Sequence, residues 1–142
     1  MNNRQEYIIS GIPFQAIDRF WVFAEPYVKR ALDHTNGEMT HIDLKEMCIS
    51  RDAQLWLCNK GNRIIGAGTT EIVIYPRKKV CRIITLAGTE FDGWMDLAHN
   101  VITLWAKDQG CESLQALTRT GFVQKLKKIG FRNRYCVCDK PI

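Results

Sequence analysis

Ile17, Phe20, Trp21, Ala24, Tyr27, Val28, Ala31 and Leu32 recur at three- and four-residue spacing. That spacing predicts a helix from near Phe14 to about Leu32 with one apolar face. Pro26 falls inside it and is expected to kink or split it, because proline lacks an N–H and crowds the preceding turn. Upstream, Tyr7-Ile8-Ile9 reads as a short strand ended by Ser10-Gly11-Ile12-Pro13. A polar loop over 33–40 leads to a second helix opening at Thr40 or His41, with Ile42, Leu44, Met47 and Cys48 on its inward side.

The pattern then changes from helical spacing to strands joined by short turns. Gln54–Cys58, Arg63–Tyr75 and Val80–Ala87 are separated by Gly61-Asn62 and by the turn Pro76–Lys79, which predicts an antiparallel meander. Gly66 and Gly68 inside the long middle strand point to a bulge or to a group pressed against the backbone. A helix from about Asp92 to Asp108 follows, with Trp94, Leu97, Ala98, Val101, Ile102, Leu104 and Trp105 as its core side and Gly110 as its C-terminal cap. Ser113–Leu117 reads as a strand, Phe122–Ile129 as a helix ending in Gly130, and Tyr135–Cys138 as a last strand. The full order is β-α-α-β-β-β-α-β-α-β, an α/β (α+β) domain with a mixed, mostly antiparallel sheet.

A chain of 142 residues with 46% apolar and 25% charged residues suits one domain, residues 1–142, with a real core. No run is long and apolar enough for a membrane span, and no apolar segment of a leader follows Met1, so neither a membrane nor export is expected. Six cysteines in a chain with this much apolar material are expected to be reduced thiols rather than staples. Cys136-x-Cys138 and three scattered histidines do not make a zinc pattern, so no metal is expected. The net charge of +5 gathers in Arg77-Lys78-Lys79 and between Arg119 and Arg134. A solvated basic face explains it better than nucleic-acid binding, because no base-reading motif accompanies it. The protruding tip Arg77-Lys78-Lys79 is a candidate contact for an acidic protein partner.

The element order, and the segment Leu126-Lys127-Lys128-Ile129-Gly130-Phe131 in which a helix ends in Gly-Phe, resemble the N-acetyltransferase (GNAT) superfamily. At a finer level Arg51–Trp56, Thr69–Gly88 and the tryptophan-bearing helix resemble divergent acetyltransferase-like proteins encoded among tailed-phage structural genes. The resemblance implies an acyl-CoA cleft, with the cofactor pyrophosphate on the loop and helix N-terminus after the third meander strand. Helix N-termini suit anions through their free N–H groups and dipole.

The resemblance makes Leu86, Ala87, Gly88, Thr89 and Gly93 the candidate cofactor contacts. The loop departs from the family pattern, which places Arg or Gln, two residues, Gly, one residue, then Gly or Ala. Here it reads Leu86-Ala87-Gly88-Thr89-Glu90-Phe91-Asp92-Gly93, with no basic residue and two carboxylates. Each like charge beside a pyrophosphate costs ~1 kcal/mol even when screened. Thr89 or Asp92 is expected instead to cap the helix, with Glu90 favouring its dipole.

The family's usual general acid, a Tyr in the closing helix, corresponds to Leu126, so Tyr75, Tyr135 or water would have to protonate a thiolate. Glu71, amid Thr70, Ile72 and Val73 on the middle strand, is the best candidate base for an amine, against the plainer role of a solvent-facing strand residue.

Two functions follow from the resemblance. One is a phage-type protein with a degraded acyl-CoA loop, serving as a non-catalytic assembly, virion or binding component with phage structural proteins as partners. The alternative is an active acetyl-CoA-dependent N-acetyltransferase acting on an amine of a protein or small molecule. The expected location is the cytoplasm of a bacterial host, or the virion.

Overall fold

The computed structural model describes residues 6–142. Its elements are β1 (Tyr7–Ile12), α1 (Ile17–Leu32), α2 (His41–Ser50), β2 (Gln54–Lys60), β3 (Arg63–Ile74), β4 (Lys79–Gly88), α3 (Phe91–Asp108), β5 (Ser113–Ala116) and α4 (Val123–Lys128). The five strands form one sheet in the order β1-β2-β3-β4-β5, antiparallel except for the parallel pair β4–β5.

Side-chain alternation divides the core into two layers. Leu55, Leu57 and Ala67 face α1 and α2, where they meet Ile17, Trp21, Ala24, Val28, Leu44 and Cys48. Trp56, Cys58 and Cys81 face α3, where they meet Trp94, Ala98, Ile102 and Ala106. The buried strand hydroxyls are paired: Thr69 with Thr85 at 2.6 Å, and Thr70, which accepts from the Trp56 indole at 3.0 Å and donates to Gln54 at 2.8 Å. Burying a hydroxyl costs free energy unless it is bonded, and these pairs remove that cost.

Several local expectations change. β1 runs through Gly11 to Ile12 because Gly11 lies under the Trp56 ring, where a Cβ would come within 3.2 Å. α1 is one uninterrupted helix across Pro26. Pro26 is exposed, so the Val22 carbonyl it leaves without an intrahelical donor is on the wet side of the helix. Ile42, Leu97 and Leu104 are exposed rather than inward. The buried stripe of α3 is Trp94, Ala98, Ile102 and Ala106, a four-residue repeat that leaves 97 and 104 on the far side. α2 opens with a capping box in which Thr40 and Asp43 exchange hydrogen bonds.

The strand expected at Tyr135–Cys138 does not form: residues 129–142 contain no regular element, and Tyr135 and Val137 are each 76% exposed. A four-residue pattern of β-prone side chains has no stability of its own without a neighbouring strand to complete its hydrogen bonds. The described order therefore ends at α4.

Candidate active site

The β4–β5 ladder is short. It begins at Val80↔Ser113 and stops at Ile83↔Ala116, while β4 continues to Gly88. β5 ends at Ala116, so beyond Ile83 this edge of β4 has no strand partner and the sheet is open there. A bulge sits at the same level: Thr69 pairs with Thr85 and Thr70 with Ile83, so Ile84 is the extra residue on β4. Bulges bend and twist a strand and gather beside active sites.

At the far end of β4 the chain turns tightly into α3. A Cβ on Gly88 would come within 2.5 Å of the Ile65 carbonyl oxygen and 2.7 Å of the Trp94 ring, so only glycine fits there. Gly66 likewise takes the Trp94 ring on its face, and Leu86 covers Gly68. These contacts supply the pressing groups expected from the two strand glycines, and the extra residue Ile65 in β3 supplies a bulge. The Ile65 carbonyl accepts the Thr89 N–H at 2.8 Å, and the Thr89 carbonyl accepts the Trp94 indole N–H at 2.8 Å.

The capping expected of Thr89 or Asp92 does not occur. Glu90 is the N-cap residue, in the left-handed region at φ 56, and no side chain caps the helix. The Thr89 hydroxyl turns back to the Ile65 carbonyl at 3.4 Å, and the Asp92 carboxylate is taken by Lys125 at 2.9 Å. Gly93 donates its N–H to the Glu90 carbonyl at 2.8 Å and lies against the Tyr7 hydroxyl. The N–H groups of Phe91 and Asp92 belong to the first helical turn and have no intrahelical acceptor. A left-handed residue followed by helical ones makes successive N–H groups converge in a concavity suited to an anion.

The two loop carboxylates are both neutralised by lysines from elsewhere in the fold. Glu90 accepts from Lys60 of β2 and from Tyr7 of β1, each at 2.8 Å, and Asp92 pairs with Lys125 of α4. The Lys60 hydrogen bond, helped by that of Tyr7, holds the Glu90 carboxyl below its ordinary range. The same carboxylate pushes the Tyr7 hydroxyl above its ordinary value by accepting its hydrogen bond. The positive charge missing from the loop sequence thus stands beside it, on β2 and α4. Phe91 of α3 also meets Phe122, just before α4, with ring centres 5.8 Å apart.

A second polar group lies on the α1/α2 face. Ile72 packs in the α3 layer, so Glu71 points the other way, and the register places Glu71, Arg82 and Gln115 side by side on β3, β4 and β5. This row is one register step short of the last β4–β5 pair. Arg82 stands 3.9 Å from the Glu71 carboxylate and donates to the Tyr75 hydroxyl at 3.3 Å; Tyr75 donates to Gln115 at 3.4 Å. The structure therefore brings Glu71 and Tyr75 together through Arg82. The Arg82 Nε is buried without a partner. Leu126 is buried, its side chain offering no proton to the opening.

The hairpin tip is divided in use. Lys79 donates to the Gln109 carbonyl at 2.6 Å and closes the C-terminal end of α3, whereas Arg77 and Lys78 are exposed. All six cysteines are free thiols; burial pushes Cys48 up to about 12 and Cys58 and Cys81 up to about 11. Such thiols are poor nucleophiles at neutral pH. Among the described residues no group of three or more His, Cys, Asp or Glu could hold a metal ion, and no helix is long and apolar enough to cross a membrane.

Lys60, Lys125, Arg82 and Gln115 were not singled out from sequence. Lys60, Lys125 and Gln115 act through residues 30, 33 and 40 positions away, and Arg82 through the register of its hairpin, so no local spacing marks them; only the +5 charge hinted at spare cations.

No protein-family model and no curated protein matches the chain. Solved structures do. An aminoglycoside acetyltransferase from an uncultured soil metagenomic sample, in complex with sisomicin, superposes with a TM-score of 0.71 at 12% identity over 96% of each chain. A predicted acetyltransferase from Clostridium acetobutylicum with acetyl-CoA gives 0.71 at 10% identity, again over 96% of each. The ribosomal-protein-alanine N-acetyltransferase of Brucella melitensis biovar Abortus 2308 gives 0.71 at 12% identity over 96% of this chain and 99% of that one. With the strand order, the β4 bulge and the parting of β4 from β5 already described, these superpositions show that the chain has the GNAT acetyltransferase fold.

Proposed function

We propose that the chain is an acetyl-CoA-dependent N-acetyltransferase acting on an amine. The observation that carries this reading is the pairing of Glu90 with Lys60 and of Asp92 with Lys125, which removes the repulsion that the loop sequence alone implies. The donor set fits an acyl-CoA. The N–H groups of Phe91 and Asp92 and the ammonium groups of Lys60 and Lys125 face the diphosphate position at the start of α3, and the parted strands leave room for an extended arm. When bound, that group would supply the activated acyl thioester.

The chain's own residues orient and neutralise. Exchanging an exposed carboxylate for a phosphate on Lys125 costs little, since such pairs are worth ~0–1 kcal/mol. Arg82 keeps its guanidinium between Glu71 and the Tyr75 hydroxyl and so positions both. Glu71, held at long range by Arg82, is the carboxylate placed to take the amine proton. With Leu126 at the helix position of the family's acid, protonation of a thiolate falls to water or to Tyr75.

A second reading is favoured by Leu126 and by the Glu71–Arg82 pair: the fold keeps its cofactor end and serves as a non-catalytic binding component of phage assembly. Thiol release from acetyl-CoA in the presence of aminoglycoside, polyamine and peptide amines decides between the two. Acceptor-dependent release supports the enzyme; binding of acetyl-CoA without release under any acceptor supports the second reading.

A further inference from the structure

Arg19, Phe23, Pro26 and Arg30 form one stripe along the solvent side of α1. At 3.6 residues per turn they fall within about 60° of one another, and the two arginines stand about 16 Å apart along the axis. All four are exposed, Phe23 by 51%, and Val22 beside them by 66%. Neither arginine forms an ion pair among the described residues. Each guanidinium instead lies against an aromatic ring of the same helix, Arg19 at 5.4 Å from the centre of Phe20 and Arg30 at 5.8 Å from that of Tyr27. Phe20 and Tyr27 pack against the core, so the rings that hold the guanidinium groups are themselves fixed. A stacked guanidinium keeps its N–H edge free for a carboxylate, and its ordering in advance lowers the cost of binding one. The two carboxylates of α1 are already taken by lysines, Asp18 by Lys45 of α2 at 3.0 Å and Glu25 by Lys29 at 3.1 Å. Between the arginines, Pro26 leaves the Val22 carbonyl without its intrahelical donor.

A face that is apolar at its centre and cationic at both ends is complementary to a helix that is apolar at its centre and acidic at both ends. A second copy of the stripe does not fit, because arginine meets arginine whether the two helices pack parallel or antiparallel. A bilayer surface fits no better: the long apolar face of α1 is turned into the core, which leaves only Val22, Phe23 and Pro26 for lipid. We propose that the solvent face of α1 docks an acidic amphipathic helix of a partner protein, with apolar side chains on Phe23 and Val22 and carboxylates on Arg19 and Arg30. A hydroxyl or amide of that helix completes the Val22 carbonyl.

The test uses the whole chain and a fluorescent helical peptide of Ala, Leu and Glu, with a Leu face flanked by Glu at both ends. Three comparison probes accompany it: a peptide of the same composition shuffled so that the face is lost, the Lys-for-Glu counterpart, and phosphatidylglycerol vesicles. The acidic peptide is expected to bind, and to weaken when salt rises from ~0.05 to ~0.5 M. Arg19→Glu with Arg30→Glu is expected to weaken it about tenfold and to strengthen the Lys counterpart. Phe23→Ser is expected to weaken it about fivefold, whereas Lys107→Glu with Lys128→Glu, the same change of charge on α3 and α4, should leave it within about twofold. Positions 19, 23 and 30 are exposed, so the urea midpoint of each variant is expected to stay at the wild-type value and separates lost docking from lost folding. Failure of the acidic peptide to bind, with or without attachment to the vesicles, would overturn the proposal. So would equal binding of the shuffled peptide, or an equal loss in the Lys107 and Lys128 variant. Acetyl-CoA plays no part in any of these readouts.

Discussion

At the end of β4 the polar contacts are short, and along the Glu71–Arg82–Gln115 row they are long. Around the β4–α3 turn, Glu90 has two partners at 2.8 Å, Asp92 one at 2.9 Å, and the Thr89 N–H and Trp94 indole each one at 2.8 Å. On the row, the distances are 3.9, 3.3 and 3.4 Å, and the Arg82 Nε has no partner. Closely packed glycines and a buried tryptophan fix the first region; the second lies at half-exposed strand positions beside a hairpin tip. The contrast is that between a site whose geometry is set in advance and one whose side chains rearrange around what binds.

The largest effect should come from breaking the rigid end. Gly88→Val drives a branched side chain into the Ile65 carbonyl and the Gly66 Cα, which cannot yield without moving β3, and into the Trp94 ring of α3. Overpacking at such a site is expected to cost about 3 kcal/mol or more, read as a lower urea midpoint. A loss under about 0.5 kcal/mol would show that the turn is not fixed by this packing.

The row and the opening are sharpened by restoring a proton donor. Leu126→Tyr is expected to raise kcat about tenfold, with KM within about twofold, because a phenol there protonates the leaving group in the transition state only. Urea unfolding of the same variant separates this from a packing defect. An unchanged kcat would mean that water or Tyr75 already meets the need.

The meander, the apolar stripe of α1 and the existence of α3 were legible because each rests on residues close in sequence, such as Trp21, Ala24 and Val28 or the Gly61-Asn62 turn. The parting of β4 from β5 was not, since it depends on where a parallel ladder stops and no spacing announces that. Tyr135–Cys138 misled for the converse reason: its local pattern suits a strand, but a strand exists only against a neighbour. The cofactor loop read as acidic because Glu90 and Asp92 lie within it, while their lysine partners lie 30 and 33 residues away. Glu71 was visible as a carboxylate on a strand, but the arginine opposite it was set by register alone.

A smaller effect is expected on the α4 side. Lys125→Glu should weaken acetyl-CoA binding about fivefold at low ionic strength, with the difference shrinking in ~1 M salt. Stability should change by less than about 0.5 kcal/mol, as for other exposed pairs. Equal affinity at low salt would remove Lys125 from the cleft.

The smallest concerns pH. Glu90 has its carboxyl lowered by Lys60 and Tyr7, so its contribution is present above the unfolded value of about 4.3 and is lost as pH falls through the lower folded value. Carbon-detected NMR titration should place the Glu90 midpoint below that unfolded value, and Lys60→Met should raise it. A midpoint at or above about 4.3 would show that the Lys60 contact is absent in solution.

The start of α3 is expected to bind acetyl-CoA despite the acidic loop. Calorimetric titration of the intact chain with acetyl-CoA tests it most directly. One-to-one binding is expected with Kd below about 100 μM, near −5.5 kcal/mol, strengthened by Glu90→Gln with Asp92→Asn as Lys60 and Lys125 are released. No heat of binding at millimolar acetyl-CoA, in both the wild-type chain and that double variant, would contradict it.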